Sequence, residues 1–166
     1  MSEKRTFGLK SIKVGDVAVD GGMGTTLAVL GVTDEGSATF TKGEDTSKEF
    51  FCEESDDPIE TVTKKGITTL EWGIVDVSPA TLVKVFGGTV DVTVPAVPVW
   101  EPPSSAAVIE KSIEVITKTD VKIEIVRAKI SASMDLKLGK EAIGSVKIKA
   151  TVLTPTKLNT KAYRIS

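Results

Sequence analysis

The chain has 166 residues, 40% of them hydrophobic and 27% charged, which suits one ordinary core and a single domain over residues 1–166. Its 21 basic and 23 acidic residues give a net charge of −2, which argues against binding nucleic acid by neutralising phosphates. The absence of histidine excludes Ser-His and Cys-His dyads and HExxH zinc sites. We therefore expect no enzyme, no cofactor and no metal site.

Two further features narrow the possible classes of protein. The single cysteine, Cys52, cannot form an intrachain disulfide. No stretch approaches the roughly 18 apolar residues of a membrane span, and the N-terminus lacks an apolar signal core. We expect an intracellular, soluble product with no membrane partner.

The pattern of the first half predicts short strands. Val, Ile and Thr make up roughly a third of the chain, which is typical of β proteins. Residues 9–19 carry alternating apolar residues around Gly15-Asp16, which predicts two strand phases joined by a kink. Shorter strands are predicted at 38–41, 48–52 and 59–63.

The most polar part of the chain lies between these short strands. Residues 43–58 are predicted to form a protruding loop or hairpin, and its acidic residues are Glu44, Asp45, Glu49, Glu53, Glu54, Asp56 and Asp57. The run lacks the ligand spacing of a calcium-binding loop, so a solvated surface segment is the better interpretation.

One segment is predicted to be helical, at about 78–86. Ser78 is the predicted capping residue, and Pro79 suits the first helical position. Leu82 and Phe86 should pack on a sheet, and Gly87-Gly88 should end the helix. A strand at 89–94 and a stiff, proline-rich connector from Pro95 to Pro103 should follow.

The second half predicts three longer strands, at 108–117, 121–134 and 146–152, with a turn at 118–120. In the middle one the apolar positions change from odd to even near residues 126–127. Such a change of phase predicts a β-bulge, which lets a long strand bend around a sandwich or barrel. The last two strands should pair antiparallel.

The order of features from 59 to 90 resembles the major tail tube proteins of tailed bacteriophages. The likeness rests on Pro58-Ile59-Glu60-Thr61-Val62, the run from Gly66 through Trp72 to Asp76, Pro79-Ala80-Thr81-Leu82-Val83 and Phe86-Gly87-Gly88-Thr89-Val90. In that family a long strand leads through an aspartate into a short helix that ends in a double glycine. The helix and turn motif is therefore Asp76, Ser78, Pro79, Leu82, Phe86, Gly87 and Gly88.

This resemblance implies a mainly β protein, an antiparallel β-sandwich or split β-barrel with one short flanking α-helix. It further implies a virion structural protein of the viral tail, made in the bacterial host cytoplasm, whose rings, typically homohexamers, stack into a tube. The implied partners are other copies of the chain and the tape measure, tail terminator and baseplate proteins. During ejection, DNA would pass through the lumen without sequence-specific binding.

The resemblance also assigns the contact between rings to residues 43–58, disordered in the free subunit and ordered in the tube. The implied inter-subunit contact residues are Phe50, Phe51, Glu53, Glu54, Asp56 and Asp57. Deleting residues 45–55 should then leave a folded monomer that does not polymerise. The N-terminal arm, residues 1–8, is a second contact candidate, and a frayed end is the alternative.

Two other functions remain open at this point. A tube subunit of a tailocin or other contractile injection system would share fold and ring symmetry with phage tubes. A monomeric β-sandwich module that binds carbohydrate or a surface belongs to another class and would need an exposed aromatic cluster. Aromatic residues are only 5% of this chain and are scattered, which disfavours the binding module.

Overall fold

The computed structural model describes residues 3–93 and 97–166, in which 49% of residues lie in strands and 5% in helix. The strands are β1 Leu9–Gly15, β2 Leu27–Val29, β3 Thr39–Lys42, β4 Thr46–Cys52, β5 Ser55–Lys64, β6 Thr68–Ile74, β7 Thr89–Asp91, β8 Val99–Glu101, β9 Ile109–Thr117, β10 Lys122–Asp135, β11 Ser145–Val152 and β12 Tyr163–Ile165, and helix α1 spans Pro79–Phe86.

Eight strands form one curled antiparallel sheet, which makes a half-barrel. Their hydrogen-bonded order is β2-β1-β9-β10-β11-β6-β3, and β12 pairs with β10 beside this path. Strands β4 and β5 form a separate two-stranded sheet, as do β7 and β8. The prediction of a mainly β, antiparallel fold with one short helix is confirmed.

Strand β10 is the longest of the described strands and lies in the middle of the hydrogen-bonded path. Its register against β9 shifts between Ile125 and Ala128, so the predicted bulge is confirmed. At this bulge Ile125, Val126 and Ala128 are all buried, which explains the change of apolar phase in the sequence. On the other edge β10 pairs first with β12 and then, antiparallel as predicted, with β11.

The core lies on one face of the sheet, here called the inner face, which α1 covers in part. The buried apolar cluster is Ile12, Val14, Leu70, Trp72, Ile74, Leu82, Val85, Ile113, Val115, Ile123, Ile125, Ala128, Ile130, Val146, Ile148 and Ala150. An eight-residue helix is marginal alone, so burial of Leu82 and Val85 in this cluster stabilises it.

The prediction of two strand phases over residues 9–19 is confirmed for the first phase and wrong for the second. Strand β1 ends at Gly15, and the irregularity in its pairing lies between Leu9 and Ser11 instead. Gly15 lies so close to the returning chain that a Cβ there would be 2.1 Å from the Thr26 carbonyl oxygen. The chain leaves the sheet after Gly15, and Val17 and Val19 lie in the loop before β2.

The predictions for 89–103 are also partly wrong. Strand β7 stops at Asp91, because the Asp91 carboxylate accepts a hydrogen bond of 2.9 Å from the Thr93 amide and turns the chain. The expected connector contains strand β8, which pairs with β7 through Val90 and Trp100. The predicted strand residue Val94 and the connector residues Pro95 and Ala96 lie outside the described residues.

Candidate subunit-contact site

The acid-rich segment forms a regular β-hairpin, here called the acidic hairpin (residues 46–64). Its strands pair from Thr46 opposite Lys64 to Phe50 opposite Glu60. The register then shifts, and Cys52 pairs with Ser55 around a two-residue turn, Glu53-Glu54. The segment is therefore a hairpin rather than a loop, and it extends six residues beyond the predicted end at 58.

The acidic hairpin exposes both of its faces. Every residue in it is exposed except Cys52, which is half-buried. Four of these exposed side chains are large and apolar. Phe50 is 40% exposed, Phe51 58%, Ile59 65% and Val62 51%. A two-stranded hairpin on its own is at best marginally stable in water, so these side chains are suited to packing against another surface.

Negative charge is concentrated on the same element. The acidic hairpin contains six acidic residues and two lysines and carries a charge of −4, so the rest of the chain carries +2. Near the turn, Glu53, Glu54, Asp56 and Asp57 form no ion pair with any residue of the described ranges. The six predicted contact residues all lie near the turn of the acidic hairpin.

The base of the acidic hairpin is tied to the main sheet. The Asp45 carboxylate accepts hydrogen bonds of 2.9 Å from both the Gly66 amide and Lys42 Nζ. These two bonds hold the pKa of Asp45 below its ordinary value. Gly66 also needs to be glycine, because a Cβ there would lie 2.2 Å from the Gly43 carbonyl oxygen. These contacts fix the base of the acidic hairpin to the main sheet, and the rest of the hairpin projects from it.

The helix motif lies elsewhere, in the body of the half-barrel. Asp76 accepts a hydrogen bond of 2.9 Å from the Ser78 amide, and its other oxygen lies 2.8 Å from Thr81 Oγ1. Ser78 occupies the N-cap position, but its hydroxyl points to the Asp76 carboxylate rather than to a helix amide. Ser78 is therefore the N-cap residue, as predicted, but its side chain makes no capping hydrogen bond, and Asp76 organises the start of the helix.

The end of the helix agrees with its prediction. Gly87 and Gly88 have φ values of 79° and 87°, in the region that glycine adopts without strain. The ring of Phe86 lies 5.7 Å from that of Trp100, whose Nε1 donates a 2.8 Å hydrogen bond to the Gly87 carbonyl. Leu82 is buried, and Pro79 is the first helical residue as expected. This motif anchors the helix.

We expect Asp76→Asn to destabilise the fold at neutral pH by about 1–2 kcal/mol, because the acceptor oxygen facing Thr81 is lost. Hydrogen bonds from the Ser78 amide and from Thr81 lower the pKa of Asp76 in the folded chain. The stabilisation is therefore present above the unfolded pKa, near 4, and disappears as the pH falls through the lower folded value. Urea unfolding at pH 7 and pH 3 should show a smaller difference between native and variant at pH 3. An equal difference at both pH values would contradict this assignment.

The opposite, outer face of the sheet is polar and rich in ion pairs. Glu114 and Glu124 lie opposite each other on β9 and β10, and Lys122 Nζ bridges them at 2.9 and 3.0 Å. Burial opposes the ionisation of Glu124, but hydrogen bonds from Lys122 and Arg164 outweigh it and lower the pKa of Glu124. Toward β11 the exposed side chains on this face become mainly Ser and Lys.

The N-terminal arm was the second predicted contact, and Met1 and Ser2 lie outside the described residues. The rest of the arm is exposed, including Phe7 at 73%. It lies beside the predicted turn at 118–120, where Thr119 Oγ1 donates a 2.7 Å hydrogen bond to the Arg5 carbonyl. The arm therefore follows the surface of its own chain.

A cavity of about 590 Å³ lies on the inner face, between α1 and the sheet. Apolar side chains such as Val14, Trp72 and Ile130 line it, and the loop after β1 borders it through Val17 and Val19. Its size is within the range of about 300–1,000 Å³ that is typical of binding pockets. This cavity could not be predicted from the sequence, because its walls come from residues far apart in the chain.

Within residues 3–93 and 97–166, no group of three or more Cys, Asp or Glu side chains is arranged to hold a metal ion. The described part of the chain also has no helix that is long and apolar enough to cross a membrane. No protein-family model matches the sequence, and no curated protein shows significant similarity to it.

Proposed function

We propose that this chain is a structural subunit of a phage tail tube, which assembles into hexameric rings that stack into a tube for DNA. The observation that carries the proposal is the acidic hairpin, which projects with both faces exposed and holds Phe50 and Phe51 near its turn. Exposed aromatic residues of this kind are favoured at the centres of protein interfaces.

The open sheet supports the same proposal. Strands β2 and β3 end the hydrogen-bonded path of the half-barrel, so each has one edge without a partner strand in the described residues. Unpaired strand edges favour association with another chain, and a ring of subunits pairs such edges without leaving any free. A ring of about six such subunits would supply more strands than the 16 to 18 that enclose an aqueous channel in known barrels.

Charge is the third support. Duplex DNA moves freely along a surface that does not hold its phosphates, and a chain with a net charge of −2 offers little general attraction. In this proposal the protein belongs to the virion tail and meets the tape measure, tail terminator and baseplate proteins along and at the ends of the tube.

The test is negative-stain electron microscopy of the purified protein over a concentration series, with light scattering for mass. Rings or stacked tubes with a central hole are the expected result. A monomer of 17.6 kDa at every concentration, also in the presence of sheared preformed tails as nuclei, would contradict the proposal. That outcome, together with a small molecule or glycan bound in the inner-face cavity, would favour the binding module instead.

A further inference from the structure

The proposed contact between subunits requires a second surface that receives the acidic hairpin. The partner surface must accept an aromatic side chain and four or more carboxylates. The rest of the chain carries a charge of +2 against −4 on the acidic hairpin, so another copy of this chain has the complementary sign.

The inner-face cavity offers both properties. Its walls include the apolar side chains of Val14, Trp72 and Ile130, and Lys84 and Lys111 also line it. Lys84, on α1, is exposed and forms no ion pair with any described residue. Lys111 pairs with Asp16, which also lines the cavity and whose side chain is 87% exposed.

We propose that this cavity receives the turn of the acidic hairpin from a second copy of the chain. Phe51 enters the apolar interior, and the carboxylates of Glu53 and Glu54 lie against Lys84 and Lys111. The inference rests on the proposed self-assembly and adds to it the identity of the receiving site.

A second basic surface exists, on the outer face, where Lys129, Lys147 and Lys149 are exposed on β10 and β11. A recess of about 540 Å³ lies there, but Asp34 and Glu71 line it together with Lys147 and Lys149, and Lys149 pairs with Glu71. The two acidic side chains of this recess oppose the carboxylates of the acidic hairpin, whereas the inner-face cavity has two lysines and one aspartate, so the cavity is the better match.

The single cysteine allows a direct test. Cys52 adjoins Phe51 in the acidic hairpin and is the only thiol of the native chain. A chain with residues 46–64 replaced by a short linker and carrying Lys84→Cys has one thiol, at the cavity. Native chain and this receptor chain are mixed with a short bis-maleimide, and the covalent heterodimer is measured by intact-mass spectrometry.

The control receptor carries Lys129→Cys on the outer face instead. We expect the heterodimer to form with the Lys84→Cys receptor, and its yield to fall about tenfold with the Lys129→Cys receptor or when the native chain carries Phe51→Ser. Circular dichroism verifies that each receptor is folded. If the hairpin-replaced receptors do not fold, full-length Cys52→Ser chains with Lys84→Cys or Lys129→Cys take their place.

The outcomes separate the two proposals. One outcome is that tubes form but cross-linking occurs at residue 129 or at neither residue. This outcome would overturn the cavity as the receiving site and would not contradict the tail-tube function. Neither tubes nor cross-links would overturn both. Cross-linking at residue 84 that depends on Phe51 supports the cavity, whether the product is a tube or a smaller oligomer.

Discussion

Replacing residues 46–64 with a Gly-Ser linker of about four residues should leave a folded monomer that forms no rings or tubes. The acidic hairpin contributes no residue to the buried core of the half-barrel, so its removal should change the free energy of unfolding little. It carries Phe50, Phe51, Ile59 and Val62, and removing these exposed apolar side chains removes the proposed contact. Electron microscopy and light scattering measure assembly, and urea unfolding measures stability.

The structure changes where this replacement should begin and end. Deleting residues 45–55, as the sequence alone suggested, would remove β4 and leave β5 without a partner strand. It would also remove Asp45, which accepts hydrogen bonds from the Gly66 amide and Lys42. Cutting after Asp45 and before Lys65 keeps the base of the hairpin intact, so that a loss of assembly is not a loss of folding.

A pair of point variants controls this experiment. Phe51→Ser keeps the hairpin and should weaken assembly strongly, because it removes the aromatic side chain nearest the turn. Leu158→Ser removes an apolar side chain that is even more exposed, at 88%, but lies far along the chain in another loop. It should assemble as the native chain does. Normal tubes from the hairpin replacement would contradict the assignment of the contact site.

Ser112→Ala should have the largest effect on stability of any single hydroxyl removed, about 2–4 kcal/mol. Ser112 is fully buried on β9, and its hydroxyl donates a 2.6 Å hydrogen bond to the Val126 carbonyl at the bulge. The same oxygen accepts a 2.9 Å hydrogen bond from the Gly24 amide in the loop between β1 and β2. Alanine would leave a buried N–H and a buried carbonyl without partners.

Chemical denaturation of native and variant measures this effect, with Ser131→Ala as the matched control. Ser131 lies on β10 and is exposed, and its hydroxyl is 3.3 Å from the Lys149 carbonyl, so water can replace the bond. We expect the control to change the free energy of unfolding by less than about 0.5 kcal/mol. Equal effects of the two variants would show that the buried hydroxyl does not hold the bulge and the loop together.

Several elements could be predicted because their signals are local. Alternation in β10 and β11 gave both strands, and the phase change at Val126 gave the bulge. Pro79 and Gly87-Gly88 marked the helix, since their backbone preferences do not depend on distant residues. The acid-rich run marked the projecting hairpin, although its end at Lys64 depended on pairing with Thr46.

Other elements could not be predicted, because distant contacts override the local pattern. Val17 and Val19 alternate like a strand, yet β1 ends at Gly15, which pairs with Leu27 of β2, and both valines lie in the loop between the two strands. Strand β8 lies among prolines and exists because β7 pairs with it. Ser78 lies at the N-cap position, but its hydroxyl donates a hydrogen bond to the Asp76 carboxylate and makes none with a helix amide.

The chain's pattern of residue types alone specified a β protein without histidine chemistry, with one short helix and one acidic projection. Only the tertiary structure decided which strands are neighbours, where the inner-face cavity lies and which lysines border it. The reason is physical: backbone preference and alternation act over a few residues, whereas the cavity joins side chains from Val14 to Ile148. Such long-range proximity depends on the order of strands in the sheet, which local patterns do not encode.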